Sequence, residues 1–209
     1  GYTTVFCDDI SVRYFDGTNY TDNIKNSYIF GGSRLTYQNN NGNTPPNLNA
    51  IEREHLGIFD PVVIEKDGRY SLEPVHINGR YYRMETDTED EYYLLECRNE
   101  EGWDKYIGGS GMLVYHIDRT PGQMRRWEIT NDLNADASHQ CADLIEADSR
   151  KDFFSGQDEY IDLSGNVKGI FFPYGDINSL TPEDGLKYWS GSAGEQSVTG
   201  IRQIGDVVI

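Results

Sequence analysis

The sequence is interrupted by an asparagine-rich tract that ends in two prolines, Asn-Asn-Asn-Gly-Asn-Thr-Pro-Pro, at residues 39–46. Neither a helix nor a strand interior accommodates this tract, because proline lacks a backbone donor and Asn-Gly favours left-handed backbone. We therefore place a boundary at its end. Residues 1–46, rich in Asn, Tyr, Gly and Asp and without helical periodicity, are predicted to be a loop-rich N-terminal segment. Residues 47–209 are predicted to form a helix followed by a mostly β domain.

The helix is predicted directly after the tract. Asn47 or Asn49 can cap a helix over residues 50–56, because an asparagine side chain accepts hydrogen bonds from the first-turn amides. Gly57 provides the left-handed residue with which many helices end. This is the one helix that the sequence predicts.

Strand-like alternation of apolar and polar residues begins at Pro61. Turn signals separate the alternating segments, and Asn78-Gly79 predicts a type I′ hairpin. The predicted strands cover residues 62–65, 70–75, 80–84, 92–97, 111–117, 142–146, 169–172 and 201–208. Residues 86–91 carry four acids in six positions and are interpreted as a solvated turn. The predicted fold class is α+β, mostly β: an antiparallel meander or sandwich-like domain with one short helix and long acidic loops.

The charge excludes two classes of partner. Thirty-five acidic and eighteen basic residues give a net charge of −17, and no basic run interrupts it. Nucleic acid and anionic membrane surfaces are therefore not expected as partners, since phosphate binding needs clustered Lys or Arg. No stretch approaches the roughly 18 apolar residues that a membrane-spanning helix requires.

The histidines do not form a zinc motif. Zinc peptidases place two histidines four positions apart on one helix, with a glutamate between them. The four histidines of this chain lie at His55, His76, His116 and His139. No two of them can share a helical face, so no local zinc signature is present.

The acidic loops of the second half could instead bind a hard cation, because Ca²⁺ takes oxygen ligands from carboxylates, amides and carbonyls. Neither of two acidic regions matches the EF-hand pattern, so solvated loops and one or more structural Ca²⁺ ions both remain open. The first region contains Asp118, Glu128, Asn131, Asp132, Asn134 and Asp136, and the second contains Glu146, Asp148, Asp152, Asp158 and Asp162. Fifteen tyrosines and three tryptophans could alternatively line a glycan-binding face.

The cysteines indicate little covalent chemistry. Cys7, Cys97 and Cys141 are an odd set without metal or redox spacing, so at most one disulfide can form. We interpret them as small buried apolar residues.

An ordered series of segments resembles the immune inhibitor A family of secreted bacterial metallopeptidases. The tract at 37–46 is similar to the family's S-Y-N-N-N-G-x-T-P-P loop, and residues 49–57 resemble the helix that follows that loop. Downstream, the similar segments are Tyr-Tyr-Leu-Leu-Glu-Cys-Arg at 92–98, Gly-Trp-Asp at 102–104 and Gly-Ser-Gly-Met-Leu-Val-Tyr-His-Ile-Asp at 109–118. Trp127, Asn131, Asn134, His139 and residues 144–148 continue the pattern, which runs from about residue 31 to the end.

This resemblance implies a zinc endopeptidase whose H-E-x-x-H helix lies upstream of the asparagine-rich loop. The present sequence lacks that motif, and residues 31–36 lack the methionine of the family's turn before the loop. The chain is therefore interpreted as the C-terminal, non-zinc-binding half of such a protein, secreted or located at the bacterial surface or in the periplasm, and inactive in isolation. Residues 1–46 would then be the remnant or edge of a peptidase-like domain.

The resemblance also implies partners and a metal site. The expected partner is a missing upstream peptidase domain, or an extracellular protein or glycan. His116 and Asp118, at the end of an apolar strand beside the catalytic domain, would orient loops or bind a structural ion. With two acids of the second acidic region added, the candidate Ca²⁺ ligands are His116, Asp118, Glu146 and Asp148. Two alternatives remain: a fragment of an active secreted zinc endopeptidase, and a Ca²⁺-stabilised β module that binds glycans or protein.

Overall fold

A computed structural model of the chain describes residues 14–15, 20–21, 46–130, 134, 136, 138–148 and 168–209. The strands are β1 Tyr14–Phe15, β2 Tyr20–Thr21, β3 Val62–Val63, β4 Tyr82–Glu85, β5 Glu91–Arg98, β6 Gly111–Asp118, β7 Ala142–Ile145, β8 Ser179–Leu180, β9 Val198–Thr199, β10 Gln203–Ile204 and β11 Val207–Val208. The helices are α1 Ala50–Leu56, α2 Val75–Asn78 and α3 Pro121–Arg125, with a 3₁₀ turn at Gly102–Asp104 and a π-helical turn at Arg126–Thr130. Within these ranges, no helix is both long and apolar enough to cross a membrane.

A five-stranded sheet in chain order, β3-β4-β5-β6-β7, forms the centre of the fold. Strands β4 to β7 are antiparallel neighbours, whereas β3 runs parallel to β4. The predicted α+β, mostly β class is therefore confirmed, and the predicted meander is confirmed for β4 to β7. The pairs β1-β2, β8-β9 and β10-β11 form separate two-stranded sheets.

Strands β5 and β6 are buried along their whole length, because other segments cover both faces of the sheet. One face packs against α1 and Phe171. The other face packs against C-terminal residues that include Leu186, Ile201 and Val208. Side chains alternate between the faces along each strand, so the two faces of β5 and β6 belong to two different core clusters.

Helix α1 has the caps that the sequence predicts. The Asn49 side chain accepts from the Glu52 amide at 2.9 Å, and the Glu52 carboxylate accepts from the Asn49 amide at 3.0 Å. This is a reciprocal capping box. Gly57 ends the helix with φ +63°. Ala50 and Ile51 are buried, which fixes the face of α1 that contacts the sheet.

The predicted hairpin at Asn78-Gly79 is wrong. Residues Val75–Asn78 form the helical turn α2, and Gly79, at φ +71°, ends it by donating its amide to Val75 O. Asn-Gly favours left-handed backbone both in hairpins and at helix ends. Here Val75 is buried, and this burial favours the helical turn.

Two other predicted strands are wrong. Residues 169–172 form no strand, although Phe172 pairs with Met112 through an isolated bridge. Residues 70–75 form none either: Leu72 and Pro74 make isolated bridges to Val208 and Cys97, and Val75 begins α2. At the C-terminus the predicted closing segment forms the short hairpin β10-β11.

We predict that the protein loses stability above about pH 9. Burial raises the pKa of Tyr81, Tyr92, Tyr93 and Tyr115 above the usual range, and raises the pKa of Cys97 to about 12. The unfolded chain releases these protons from about pH 8.5 for cysteine and about pH 10 for tyrosine, whereas the folded protein retains them. Stability is therefore complete below those values and falls as pH rises.

Urea unfolding tests this prediction, and the transition midpoint should fall between about pH 8 and about pH 10.5. Tyrosine absorbance at 295 nm, followed during the same titration, should show a fraction of the tyrosines ionising only on unfolding. A midpoint that stays constant over this range contradicts the prediction.

Candidate functional site

The candidate site lies where the end of β6 meets the start of β5. Glu91 lies opposite Asp118 in the antiparallel register, and Tyr93 lies opposite His116. Directly paired residues project from the same face of a sheet, so these four side chains share one face. At this edge Asp118 donates its amide to Cys141 O, which brings the connection before β7 alongside.

His116 is held by a buried carboxylate. Its Nε2 atom lies 2.8 Å from Glu91 Oε1, and the same oxygen accepts the Trp189 amide at 2.8 Å. Both Glu91 and His116 are only 4 % exposed. A buried carboxylate needs such donors, so Glu91 links His116 to the C-terminal part of the chain.

His139 is held in the same way by Asp118. The distance from His139 Nε2 to Asp118 Oδ2 is 2.6 Å, and Asp118 Oδ1 accepts the Thr120 amide at 2.9 Å. Asp118 is buried, whereas the His139 side chain is 32 % exposed. Both oxygens of Asp118 therefore have internal partners, and His139 lies on the solvent side of the site.

Four rings stack in the order Tyr93, His116, Trp189, His139, and we call them the ring stack. The Tyr93 and His116 centroids lie 4.7 Å apart, those of His116 and Trp189 4.7 Å, and those of Trp189 and His139 4.6 Å. The indole is nearly parallel to both imidazoles, at 3° and 18°. Each imidazole stacks on the indole and directs its Nε2 atom to a different carboxylate, Glu91 for His116 and Asp118 for His139, so the two Nε2 atoms do not converge on one point.

The ring stack fastens a C-terminal loop to the sheet. Tyr93 donates its hydroxyl to Lys187 O at 3.1 Å, next to the Trp189–Glu91 hydrogen bond. Farther along the loop, Gln196 donates from Nε2 to Glu85 O at 2.9 Å. These contacts hold residues 187–196 against β4 and β5, so the arrangement supports a structural role.

The four predicted metal ligands lie in two pairs, near opposite ends of β6. His116 and Asp118 lie at one end of β6, but each is hydrogen bonded to a different partner. Glu146 and Asp148 follow Ile145, which lies opposite Val114, so they are near the other end of the strand. In the described part of the chain, no group of three or more His, Cys, Asp or Glu residues could hold a metal ion. Metal binding by either pair stays a prediction.

The other candidates either lie outside the described residues or are not part of the ring stack. Among the predicted Ca²⁺ ligands, Asn131, Asp132, Asp152, Asp158, Asp162 and the Glu128 side chain lie outside the described residues. Asp136 accepts hydrogen bonds from Ser138, including the Ser138 amide at 2.9 Å. His55 is exposed at the end of α1, and His76 Nε2 lies 3.8 Å from a Glu101 carboxylate oxygen.

Cys141 is not an activated nucleophile. Burial raises the pKa of its thiol, and its Sγ donates to Gln123 Oε1 at 3.0 Å. A reactive cysteine needs a lowered pKa, and His139 instead bonds Asp118. Cys97 and Cys141 are both buried, as the sequence predicts, and both are free thiols. Cys7 lies outside the described residues.

A second cluster, the buried charge network, lies on the opposite face of the sheet. We define it as Glu96 and Arg98 of β5, Asp104 of the 3₁₀ turn and Tyr115 of β6. Arg98 donates from Nη2 to Asp104 Oδ1 at 2.9 Å, and its Nη1 lies 3.5 Å from Glu96 Oε1. Tyr115 donates its hydroxyl to Glu96 Oε1 at 2.7 Å, and the Ala50 amide donates to Glu96 Oε2 at 2.9 Å.

The network also binds the chain that leads into α1. Asn47 donates its amide to Asp104 Oδ1 at 2.7 Å, and its carbonyl accepts from Arg98 Nη2 at 2.9 Å. Arg53 reaches back from the helix and donates from Nε to Leu48 O at 2.7 Å. Residues 47–53 are therefore held to the sheet by charged groups as well as by apolar packing.

Burial sets the protonation behaviour of this network. Burial raises the pKa of Glu96, and Arg98 and the Tyr115 hydroxyl partly oppose that change. Burial alone would lower the pKa of Arg98, but Glu96 and Asp104 outweigh it and raise the value. Arg98 therefore remains a cation that compensates two buried acidic groups.

Sequence reasoning missed two residues of the site, Glu91 and Trp189. The interpretation of residues 86–91 as a solvated turn is wrong for Glu91, which is buried because it begins β5 opposite Asp118 and bonds His116. The pairing register of β5 with β6 would have identified Glu91, because it places this acid on the strand next to that of His116. Nothing local marks Trp189, since it approaches from 98 positions downstream of Glu91.

The chain was also compared with known proteins. Searches against protein-family models, curated proteins and solved structures found no match to this chain. The family assignment therefore remains an expectation based on the motif segments themselves.

Proposed function

We propose that this chain is the C-terminal, mostly β half of a secreted bacterial protein of the immune inhibitor A type, and that it is non-catalytic in isolation. The observation that carries the proposal is the buried charge network. Its four members and the Ala50 amide that bonds it come from separate motif segments of the resemblance: Ala50 from the helix, Glu96 and Arg98 from one strand, Asp104 from the Gly-Trp-Asp turn and Tyr115 from another strand. Segments that look like unrelated motifs in the sequence thus act as one structural unit.

The proposed role of that unit is scaffolding. Glu96, Arg98, Asp104 and Tyr115 are all nearly inaccessible to solvent. A catalytic carboxylate must reach its substrate directly or through one water, and these carboxylates do not. They fix α1, which directly follows the asparagine and proline tract, so the domain would support whatever precedes the tract.

Zinc catalysis does not fit the residues of this chain. The sequence has no H-E-x-x-H motif, and the Nε2 atoms of His116 and His139 each bond a different carboxylate. We therefore assign no hydrolytic step to it.

An activity assay tests the proposal. The purified chain, incubated with Zn²⁺ and unfolded casein, should cleave no more casein than the buffer control, and dialysed protein should retain less than one zinc per chain. Casein cleavage that co-purifies with the chain and stops on adding a chelator would contradict the proposal. The alternative, a fragment of an active peptidase, predicts an H-E-x-x-H motif in the gene upstream of codon 1.

A second candidate is a Ca²⁺-stabilised β module that binds glycans, and the exposure of Trp103 favours it. Its side chain is 61 % exposed on the Gly102–Asp104 turn, and exposed aromatic faces can stack on sugars. Trp189 is occupied in the ring stack, and the Trp127 side chain lies outside the described residues. Glycan-array binding should be lost in Trp103→Ala and kept in the control Ile204→Ala; binding unchanged in Trp103→Ala argues against this candidate.

Structural Ca²⁺ stays part of the proposal and has its own test. A bound ion raises the melting temperature by mass action. We expect Ca²⁺ to raise the melting temperature relative to chelator in the native chain, and this increase should be lost in Asp118→Ala or in the double variant Glu146→Gln, Asp148→Asn. His116→Ala tests the remaining predicted ligand. Equal melting temperatures with Ca²⁺ and with chelator would remove the ion from the proposal.

A further inference from the structure

The exposed apolar side chains of this protein are concentrated beside one edge of the central sheet. Five of the eleven large hydrophobic side chains exposed in the described ranges fall within eight consecutive positions. They are Leu56, Ile58, Phe59, Val62 and Val63, each 41–52 % exposed, and we call them the edge patch. Val62 and Val63 project from opposite faces of β3, so the edge patch borders this edge of the sheet on both faces. Single exposed apolar residues are ordinary, whereas a group of them around one strand edge is typical of an interaction surface.

The edge patch includes an open strand. Within the described ranges, β3 has β4 as its sole neighbour and is the outermost strand of the sheet. The amides of Val62 and Ile64 donate to Tyr81 O and Arg83 O of the β4 side, at 3.0 and 2.8 Å. Alternate residues of a strand bond the same neighbour, so the amide and carbonyl of Val63 point to the open edge.

Phe59 gives the edge patch a fixed aromatic anchor. Its carbonyl accepts the Tyr81 hydroxyl, and its ring lies against Gly79, where even an added Cβ would come within 2.7 Å of the ring. The ring is therefore held in place while 45 % of the residue is exposed. Rigid, partly exposed aromatic residues lose little entropy on binding and are typical interface anchors.

The charge of the protein favours one of two possible binding partners for the edge patch. A second copy of the chain would bring two molecules of net charge −17 together, and like charges oppose association. Asp60 lies before the strand and Glu65 and Asp67 lie after it; all three are exposed and outnumber the exposed Lys66 and Arg69 of the same stretch. A chain with basic flanks is favoured by both the local and the total charge.

We propose that the open edge of β3 binds an extended segment of another polypeptide, which pairs with Val63 as an added strand, places apolar side chains on the edge patch and carries Lys or Arg at its flanks. Strand addition of this kind takes affinity from backbone hydrogen bonds and specificity from alternate side chains. The inference is independent of the proposed function, because it uses neither the ring stack nor the buried charge network.

Peptide binding to the full chain tests the proposal. The probe is a fluorescein-labelled synthetic peptide, Lys-Lys-Val-Thr-Val-Thr-Val-Lys-Lys, followed by fluorescence anisotropy at low salt. We expect saturable binding in the micromolar range. A probe of the same sequence with N-methyl groups on every Val and Thr amide has no donor and a steric block on both of its edges, and a probe with Glu in place of Lys reverses the charge. Both should bind at least about tenfold more weakly.

Variants of the chain locate the binding. Val62→Lys places a charge on the edge patch, and Val63→Pro removes the outward amide at an edge position where proline is tolerated. Each substitution should weaken binding of the Lys-flanked probe at least about tenfold. Ile204→Lys makes the same charge change at an exposed isoleucine of β10 and should leave binding unchanged; circular dichroism checks that all three variants fold.

Four results would overturn the proposal. These are failure of the wild-type chain to bind the probe, equal binding of the N-methylated probe, equal loss of binding in Ile204→Lys, and wild-type affinity in both edge variants. Light scattering provides a further test: a concentration-dependent dimer that Val62→Lys abolishes would assign the edge to a second copy and overturn it as well.

Discussion

Replacing Arg98 with methionine is expected to lower the free energy of unfolding by about 3–5 kcal/mol, the range measured when one partner of a buried ion pair is removed. The guanidinium bonds Asp104, lies 3.5 Å from Glu96 and donates to Asn47 O. Methionine fills a similar volume but removes the cation that contacts both buried acidic groups, and Arg53, the other nearby cation, favours the charged form of Glu96 less than Arg98 does. Protonating these groups or exposing them to water costs folding free energy.

Urea denaturation at neutral pH measures this loss. Arg80→Met, at an exposed arginine, is the matched control and should change stability by no more than about 0.5 kcal/mol. The triple variant Glu96→Gln, Arg98→Met, Asp104→Asn removes the charges together and should be more stable than Arg98→Met alone, since no carboxylate remains unpaired. A loss below about 1 kcal/mol in Arg98→Met would mean that the network contributes little.

Local sequence patterns were sufficient to predict the structure where a pattern strongly favours one structure over all others. Helix α1 follows this rule: Asn49, Glu52 and Gly57 each supply a cap at the required spacing. The strands β4 to β7 follow it too, because alternation was present in the chain itself. At Asn78-Gly79 the same left-handed preference serves two structures, and tertiary burial of Val75 selected the helical turn.

Only half of the residues of the candidate site could be predicted from the sequence, for a related reason. His116 and Asp118 mark a strand end in the sequence, but their partners come from other parts of the chain. Glu91 belongs to an acidic run that looks solvated, and Trp189 arrives from a C-terminal loop. Composition cannot distinguish a buried acid from a solvated one; the strand register, which pairs Glu91 with Asp118, makes the distinction.

Replacing Trp189 with alanine is expected to lower the free energy of unfolding by about 2–3 kcal/mol, below the usual range for a fully buried tryptophan because Trp189 is only half-buried. The change removes the central ring of the stack and leaves a gap between His116 and His139. The loop 187–196 loses its side-chain anchor, although the residue 189 amide still reaches Glu91. Hydrogen exchange over that loop should therefore accelerate before global unfolding does.

Two variants separate stacking from other effects. Trp103→Ala removes a largely exposed tryptophan and should cost less than about 1 kcal/mol. In the described part of the chain, Trp189 Nε1 is buried without a hydrogen-bond partner, so Trp189→Phe keeps an aromatic face and sacrifices no hydrogen bond. If ring stacking holds the loop, phenylalanine retains most of the stability that alanine loses. Equal losses in Trp189→Phe and Trp189→Ala would instead show that the size of the indole, and not its aromatic faces, holds the loop against the sheet.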